Sequence, residues 1–229
     1  MLDILRLFGG DDEGEDGREP VAPKPPGRSM VDPAAWDQYW RDEFARGTAG
    51  LADMFFDDGR LIDGMRANKL NTVLCVGNGI SQEPRALARA GFDVTALDLS
   101  PLAVKVASGY KPSRHHLDHL LQGRSARRNG RMRFVTGDLR DAAICPGPYD
   151  VVIERRTLQL YSDEEFPAAM RAVTDRLASP GILFSHSHRG GSGPHRFPIA
   201  DWLGSEGWPR FRFDTPLTGR TAWLYSTSG

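Results

Sequence analysis

Four short stretches carry residue types that can do chemistry. In "VLCVGNGIS" (residues 73–81) an apolar run breaks into Gly77-Asn78-Gly79. "DVTALDLS" ends in Asp98-Leu99, with Asp98 21 residues beyond Gly77. "FVTGDLRD" carries Asp138 and Leu139, and "YDVVIERRTL" carries Glu154 and Arg155. Two glycines straight after a strand let backbone and ligand approach closely. An acid about 20 residues further on is at the spacing that reaches a ribose, and a carboxylate can accept from both vicinal hydroxyls. Asp138, at the end of the next strand, can accept from the exocyclic amine of an adenine. A nucleoside-containing cofactor is therefore expected. Ile80, Ser81 and Gln82 follow where a dinucleotide fingerprint has its third glycine, which argues against a pyrophosphate seated on the helix N-terminus.

These residues need strands that end together. "NTVLCV", "DVTALDLS", "RMRFVTGDLRD", "YDVVIERRTL" and "ILFSHS" read as five strands. Helices alternate with them. One is capped by Ser81 and stopped by Gly91, one runs from Ser100-Pro101 to near Gly109, and one follows the capping box Ser162-x-x-Glu165. The buried stripe of this last helix is Phe166, Ala169, Met170, Val173 and Leu177, and Ser179-Pro180-Gly181 turns into the fifth strand. Alternation of this kind predicts a doubly wound, mostly parallel sheet between two helical layers. Before it, Asp32-Pro33 starts a helix whose Trp36, Tyr39, Trp40 and Phe44 share one face and read as core. A weaker helix holds Phe55, Phe56, Leu61, Ile62 and Met65. After it, a helix near residues 198–206 precedes "PRFRFD" and "TAWLYST", which can pair as an antiparallel hairpin.

Other chemistry-bearing residues have plainer readings. His115 and His119 stand four apart on "RHHLDHLLQG", but no third metal ligand follows at a convincing spacing. A solvated helix with Leu117, Leu120 and Leu121 facing inward is expected. Lys111, Arg114, Arg124, Arg127, Arg128, Arg131 and Arg133 make a basic run able to meet an acidic substrate or nucleic-acid phosphates, with a solvated loop as its plain reading. His186 and His188 follow the fifth strand, where a histidine can serve as a general base. The "GGSG" loop at residues 190–193 is a candidate substrate lid.

With 229 residues, 40 % of them hydrophobic, the chain can bury one α/β core. Its net charge of −1 gives no global attraction to nucleic acid or anionic membrane. No apolar run approaches the ~20 residues of a membrane span. Two cysteines, Cys75 and Cys145, form no disulfide framework, which fits a reducing cytoplasm. Residues 1–31 are rich in Gly, Pro and acid and read as a disordered leader. The folded domain is expected over residues 32–229.

Taken in order, the motifs resemble those of the class I S-adenosylmethionine-dependent methyltransferases. "VLCVGNGIS" is similar to the family's glycine-rich first motif, "VTALDLSPLAV" to the second, "FVTGDL" to the adenine motif, "YDVVIERRTL" to the fourth and "LASPGILFSHS" to the strand after it. The closing hairpin resembles the family's reversed last strand. The resemblance implies a seven-stranded sheet with an antiparallel C-terminal strand, S-adenosyl-L-methionine as cofactor and no metal. It places Gly77, Asn78 and Gly79 near the methionine and ribose, Asp98 and Leu99 at the ribose, Asp138 and Leu139 at the adenine, and Glu154 and Arg155 beside methyl transfer. It also allows one aromatic of the first helix to wall the cofactor. "IERRTLQLYSDEE" resembles the thiopurine and protein-lysine branches. Where the family often has an acid early in the first motif, this chain has Cys75, and Glu83 or Glu154 would have to substitute.

The acceptor implied is an N, O or S nucleophile, first on a small molecule and next on a protein, with nucleic acid and membrane disfavoured. Arg155, His186 and His188 are the catalytic candidates. Two other classes stay open. A nicotinamide-dependent oxidoreductase would share Asp98 but needs the third glycine and a Tyr-x-x-x-Lys, neither of which is present. A non-catalytic binding domain is motivated by Cys75 and the acidic leader.

Overall fold

A computed structural model describes residues 31–47, 59–155, 157–185, 210–215 and 220–226. The leader up to residue 30, Phe55 and Phe56, His186 and His188, the "GGSG" loop and the helix expected near 198–206 lie outside the described residues.

Chain order gives α1 (Pro33–Ala45), α2 (Arg60–Ala67), β1 (Thr72–Val76), α3 (Glu83–Arg89), β2 (Asp93–Asp98), α4 (Pro101–Gly109), α5 (Arg114–Leu120), β3 (Met132–Thr136), β4 (Tyr149–Glu154), α6 (Phe166–Thr174) and β5 (Leu177–Ser185). These five strands form a parallel sheet in the order β3-β2-β1-β4-β5. The chain thus moves outward from β1 to β3, then returns to the other side of β1 for β4. Strand order reverses between β1 and β4, the place where open α/β sheets bind ligands at their C-terminal edge. Two further segments, β6 (Arg210–Thr215) and β7 (Arg220–Ser226), run antiparallel to one another, and β7 pairs with β5, as in Phe184↔Leu224.

Strand alternation divides the core. Val73 and Cys75 of β1 face α2 and α3, where they pack with Leu61, Ile62, Met65 and Leu87. Leu74 and Val76 face the other way and pack with Phe166, Ala169, Met170 and Val173 of α6. The expected Ser81 cap is displaced, since α3 starts from Gln82 with no side-chain cap bond and Ser81 Oγ accepts from the Glu83 N–H at 3.1 Å, but the other three form. Asp32 accepts from the Ala34 N–H (2.9 Å), and Ser100 Oγ from the Ala103 N–H (3.0 Å). Ser162 and Glu165 form the reciprocal capping box, at 3.2 Å in each direction. On α5, Leu121 is buried at the C-cap and Leu117 packs on the first cluster, while His115 and His119 are exposed.

Two further sequence expectations are corrected. Ser179-Pro180-Gly181 is no turn before the fifth strand. β5 begins at Leu177, which pairs with Tyr149, and the register resumes at Val151↔Ile182. Residues 178–181 therefore bulge within β5, and Leu177 belongs to the strand instead of the α6 stripe. The aromatic face of α1 is not core either, because no residue of α1 is buried. Trp36 packs against the second cluster, Phe44 is exposed, and the ring of Trp40 covers Gly79.

Candidate functional site

The C-terminal edge of the sheet brings the predicted residues into one row. Gly77 (φ +60°) and Gly79 (φ +54°) both adopt the left-handed backbone that favours glycine. Their surroundings demand glycine as well. A Cβ on Gly77 would stand 2.0 Å from Thr157 Oγ1, and one on Gly79 2.8 Å from Trp40 Cζ2. Between them the Asn78 N–H donates to the Leu97 carbonyl at 3.1 Å, which ties the loop to the end of β2.

Asp98 is the hub of this edge. Its Oδ2 accepts from the Gly79 N–H at 2.6 Å, and its Oδ1 from the Ser100 N–H at 2.9 Å. Its backbone carbonyl accepts from the Gly137 N–H at 3.0 Å and so fixes the turn that carries Asp138. Burial pushes the Asp98 carboxyl up, and the charge of Asp37 adds to the rise, while the Ser100 and Gly79 amides oppose it. The Leu99 amide opposes the rise as well, and since an ionised carboxylate offers about four lone-pair positions, these three amides still leave room for a ligand's hydroxyl.

Asp138 is held by Arg140, which reaches Oδ1 at 3.1 Å and Oδ2 at 2.7 Å, and the Arg140 N–H adds a third bond at 2.8 Å. Burial raises the Asp138 carboxyl, but the Arg140 hydrogen bonds and charge outweigh it and leave the group below the usual range. Leu139 beside it is buried, and burial also holds the nearby Tyr161 phenol well above its ordinary value.

Glu154 is turned fully inward. It accepts from the N–H groups of Thr157 and Leu158 (3.2 Å each) and from Ser185 Oγ. It thereby fixes the turn after β4, and Thr157 Oγ1 then donates to the Val76 carbonyl at 3.2 Å and closes that turn onto Gly77.

Arg155 reaches across to Glu83 with two hydrogen bonds, Nε to Oε2 at 2.7 Å and Nη2 to Oε1 at 2.5 Å, and its guanidinium lies 4.9 Å from the centre of the Phe184 ring. Both members of the pair are buried next to Cys75. Burial pushes the Cys75 thiol well up, with Glu83 adding to the rise and Arg155 opposing it. Glu83, Thr157, Asp37 and Trp40 complete the edge. Asp37 of α1 accepts from the Leu102 N–H (3.0 Å) and from Ser100 Oγ, so it clamps α1 over the β2–α4 turn. The sequence hinted at Glu83 by its place after the glycine loop. Nothing local in it marks Asp37 or Thr157.

Residues 74–185 match the family model described as a methyltransferase domain. Those residues form a methyltransferase domain. The glycine cradle and the spare acceptor capacity of Asp98 suit a nucleoside-bearing cofactor. Solved structures share the methyltransferase fold at low identity. A TehB-like S-adenosylmethionine-dependent methyltransferase from Corynebacterium glutamicum is 19 % identical with a TM-score of 0.53, over 86 % of this chain and 97 % of that one. The magnesium protoporphyrin IX methyltransferase from Synechocystis, with S-adenosylmethionine bound, is 20 % identical with a TM-score of 0.55, over 86 % and 95 %. The 1,6-didemethyltoxoflavin-N1-methyltransferase from Burkholderia thailandensis, with S-adenosylhomocysteine bound, is 14 % identical with a TM-score of 0.56, over 93 % of each chain. A sequence comparison with curated proteins finds no match. No helix among the described residues of this methyltransferase is long and apolar enough to cross a membrane.

Proposed function

We propose that residues 32–229, behind a leader of residues 1–31, form a cytoplasmic methyltransferase of the seven-strand type with a reversed last strand. It moves the methyl group of S-adenosylmethionine to an N, O or S nucleophile of a small molecule. The observation that carries this reading is the row of Gly77–Gly79, Asp98 and Asp138 along one sheet edge at the strand-order reversal. Gly77, Asn78 and Gly79 receive the methionine and ribose. Asp98 accepts from the ribose hydroxyls, with Leu99 beside it. Leu139 and the Asp138 turn hold the adenine. Trp40 forms the wall above Gly79. Glu154 acts by shaping the turn after β4, and Arg155 by its pair with Glu83, which puts a carboxylate close to Cys75.

The cofactor supplies an activated methyl group on a sulfonium. The chain's task is then to align the acceptor and exclude water, and either can supply much of the rate. His186 and His188 are the candidates to take a proton from the acceptor. A small acceptor is supported by neighbours whose names give small molecules, magnesium protoporphyrin IX and 1,6-didemethyltoxoflavin among them. A protein acceptor is the second choice, since "IERRTLQLYSDEE" resembles the protein-lysine branch as well as the thiopurine one.

Calorimetric titration with S-adenosylmethionine, S-adenosylhomocysteine and NADH tests the site. Binding of the two sulfur compounds without NADH is expected, and failure of both to bind overturns the assignment. Transfer of labelled methyl to small-molecule extracts in preference to protein extracts tests the acceptor class.

A further inference from the structure

A cavity of about 570 Å³ opens between α3, α5 and the loop at residues 125–130, within the roughly 300–1,000 Å³ usual for small-molecule sites. It lies at the opposite end of α3 from the glycine loop. Glu83, the first residue of α3, follows the glycine loop, whereas Arg89, the last, lines the cavity. The loop at 125–130 leads into the start of β3, so the cavity sits at the N-terminal edge of the sheet.

Its walls are pre-organised. Arg89 is buried and makes a two-pronged bond to Asp118 (2.7 and 3.3 Å). It also donates to the Ala126 carbonyl (2.8 Å) and to Asn129 Oδ1 (3.1 Å). The loop returns two bonds, from the Ala126 N–H to the Arg89 carbonyl (3.0 Å) and from the Gly130 N–H to the Ala88 carbonyl (2.8 Å). The loop is thus clamped on both sides of Arg127 and Arg128, which line the cavity with Arg114, Pro112 and Leu117.

The charge here is not balanced. The Asp118 carboxylate is shared between Arg89 and Arg114, the latter at 3.8 Å. Among the described residues, Arg127 and Arg128 have no hydrogen-bonding or ion-pair partner. Three further cations of the basic run are already committed. Arg124 pairs with Asp63 at 2.9 Å and Arg131 with Asp93 at 2.6 Å, while Arg133 donates to Thr95 Oγ1 at 2.8 Å and to the Tyr149 hydroxyl at 3.1 Å. Unspent positive charge is therefore gathered in the cavity. A nucleic-acid backbone calls for several phosphate contacts spread along a track. Guanidinium forks match phosphate oxygens, and Pro112 with Leu117 offers apolar surface to an organic moiety.

We propose that this cavity is a second ligand site, separate from the methyl-transfer centre, that binds a small phosphate-bearing molecule through Arg114, Arg127 and Arg128. Calorimetry at low ionic strength tests it with sodium pyrophosphate, succinate and a short single-stranded RNA as probes and S-adenosylhomocysteine in a parallel arm. Pyrophosphate is expected to bind, and to bind more tightly than succinate or the RNA. Arg127→Ser combined with Arg128→Ser should weaken it about tenfold or more, leaving S-adenosylhomocysteine affinity unchanged. Arg131→Ser, outside the cavity, should leave both unchanged. Absence of pyrophosphate binding, indifference to the double substitution, or equal or tighter binding of succinate or the RNA each overturns the proposal. A failed cofactor assignment would show only in the S-adenosylhomocysteine arm.

Discussion

Glu83 and Arg155, 72 residues apart, form a two-pronged ion pair with side chains only 5 % and 8 % exposed. Removing one partner from such a pair leaves a buried charge uncompensated, a cost of about 3–5 kcal/mol. Glu83→Gln should lower unfolding stability on that scale, and Glu83→Leu with Arg155→Met should recover most of it, both read from urea titrations. A single variant as stable as the parent would show that the pair does not hold this edge together.

The two glycines of the loop should differ in what relieves them. Alanine at either position carries a left-handed strain of roughly 1–2 kcal/mol. At Gly79 the added methyl also meets Trp40 at 2.8 Å. Gly79→Ala should weaken S-adenosylhomocysteine binding, and Trp40→Ala in the same chain should restore part of the lost stability but not the backbone strain. Full restoration would mean that φ at Gly79 is not constraining.

Asp98→Ala removes the acceptor of the Gly79 and Ser100 amides together with the proposed ribose contact. Cofactor affinity should fall by about 1–3 kcal/mol, the cost of unmade charged hydrogen bonds. Calorimetric affinity equal to the parent's would take Asp98 out of the cofactor site.

Acid stability should carry opposite signs from two aspartates. The Arg131 hydrogen bonds hold the Asp93 carboxyl below its usual range. Its contribution is therefore complete above the ordinary aspartate value of about 3.9 and is lost as pH falls through the lower folded value. Asp98 is raised instead, so the folded state binds its proton more tightly than the unfolded chain does, and its contribution falls as pH rises through that window. Urea midpoints across the acid range should fall less steeply for Asp93→Asn than for the parent. Parallel curves would remove Asp93 from the balance.

Neither cysteine should react in the folded protein. Both are buried, and burial is the main cause of each raised thiol. A chromogenic disulfide reagent should titrate no thiol natively and both after denaturation. A fast native reaction would show that Cys75 or Cys145 is open to solvent.

What the sequence determined was local. Alternating apolar runs and the caps at Asp32, Ser100 and Ser162 mark helices and strands, because each signal is contained within a few residues. The glycine pair and Asp98 were legible for the same reason, since a strand end and a fixed spacing define their place. The tertiary structure alone decided which side chains meet. The strand-order reversal sets β4 beside β1 and so joins Arg155 to Glu83 and Thr157 to Gly77. Asp37, 63 residues from Ser100, places α1 over the β2–α4 turn beside the glycine loop, so that a stripe with core spacing becomes a half-exposed wall. Periodicity reveals that a face is apolar, but the partner it covers depends on long-range sheet order, which no local pattern encodes.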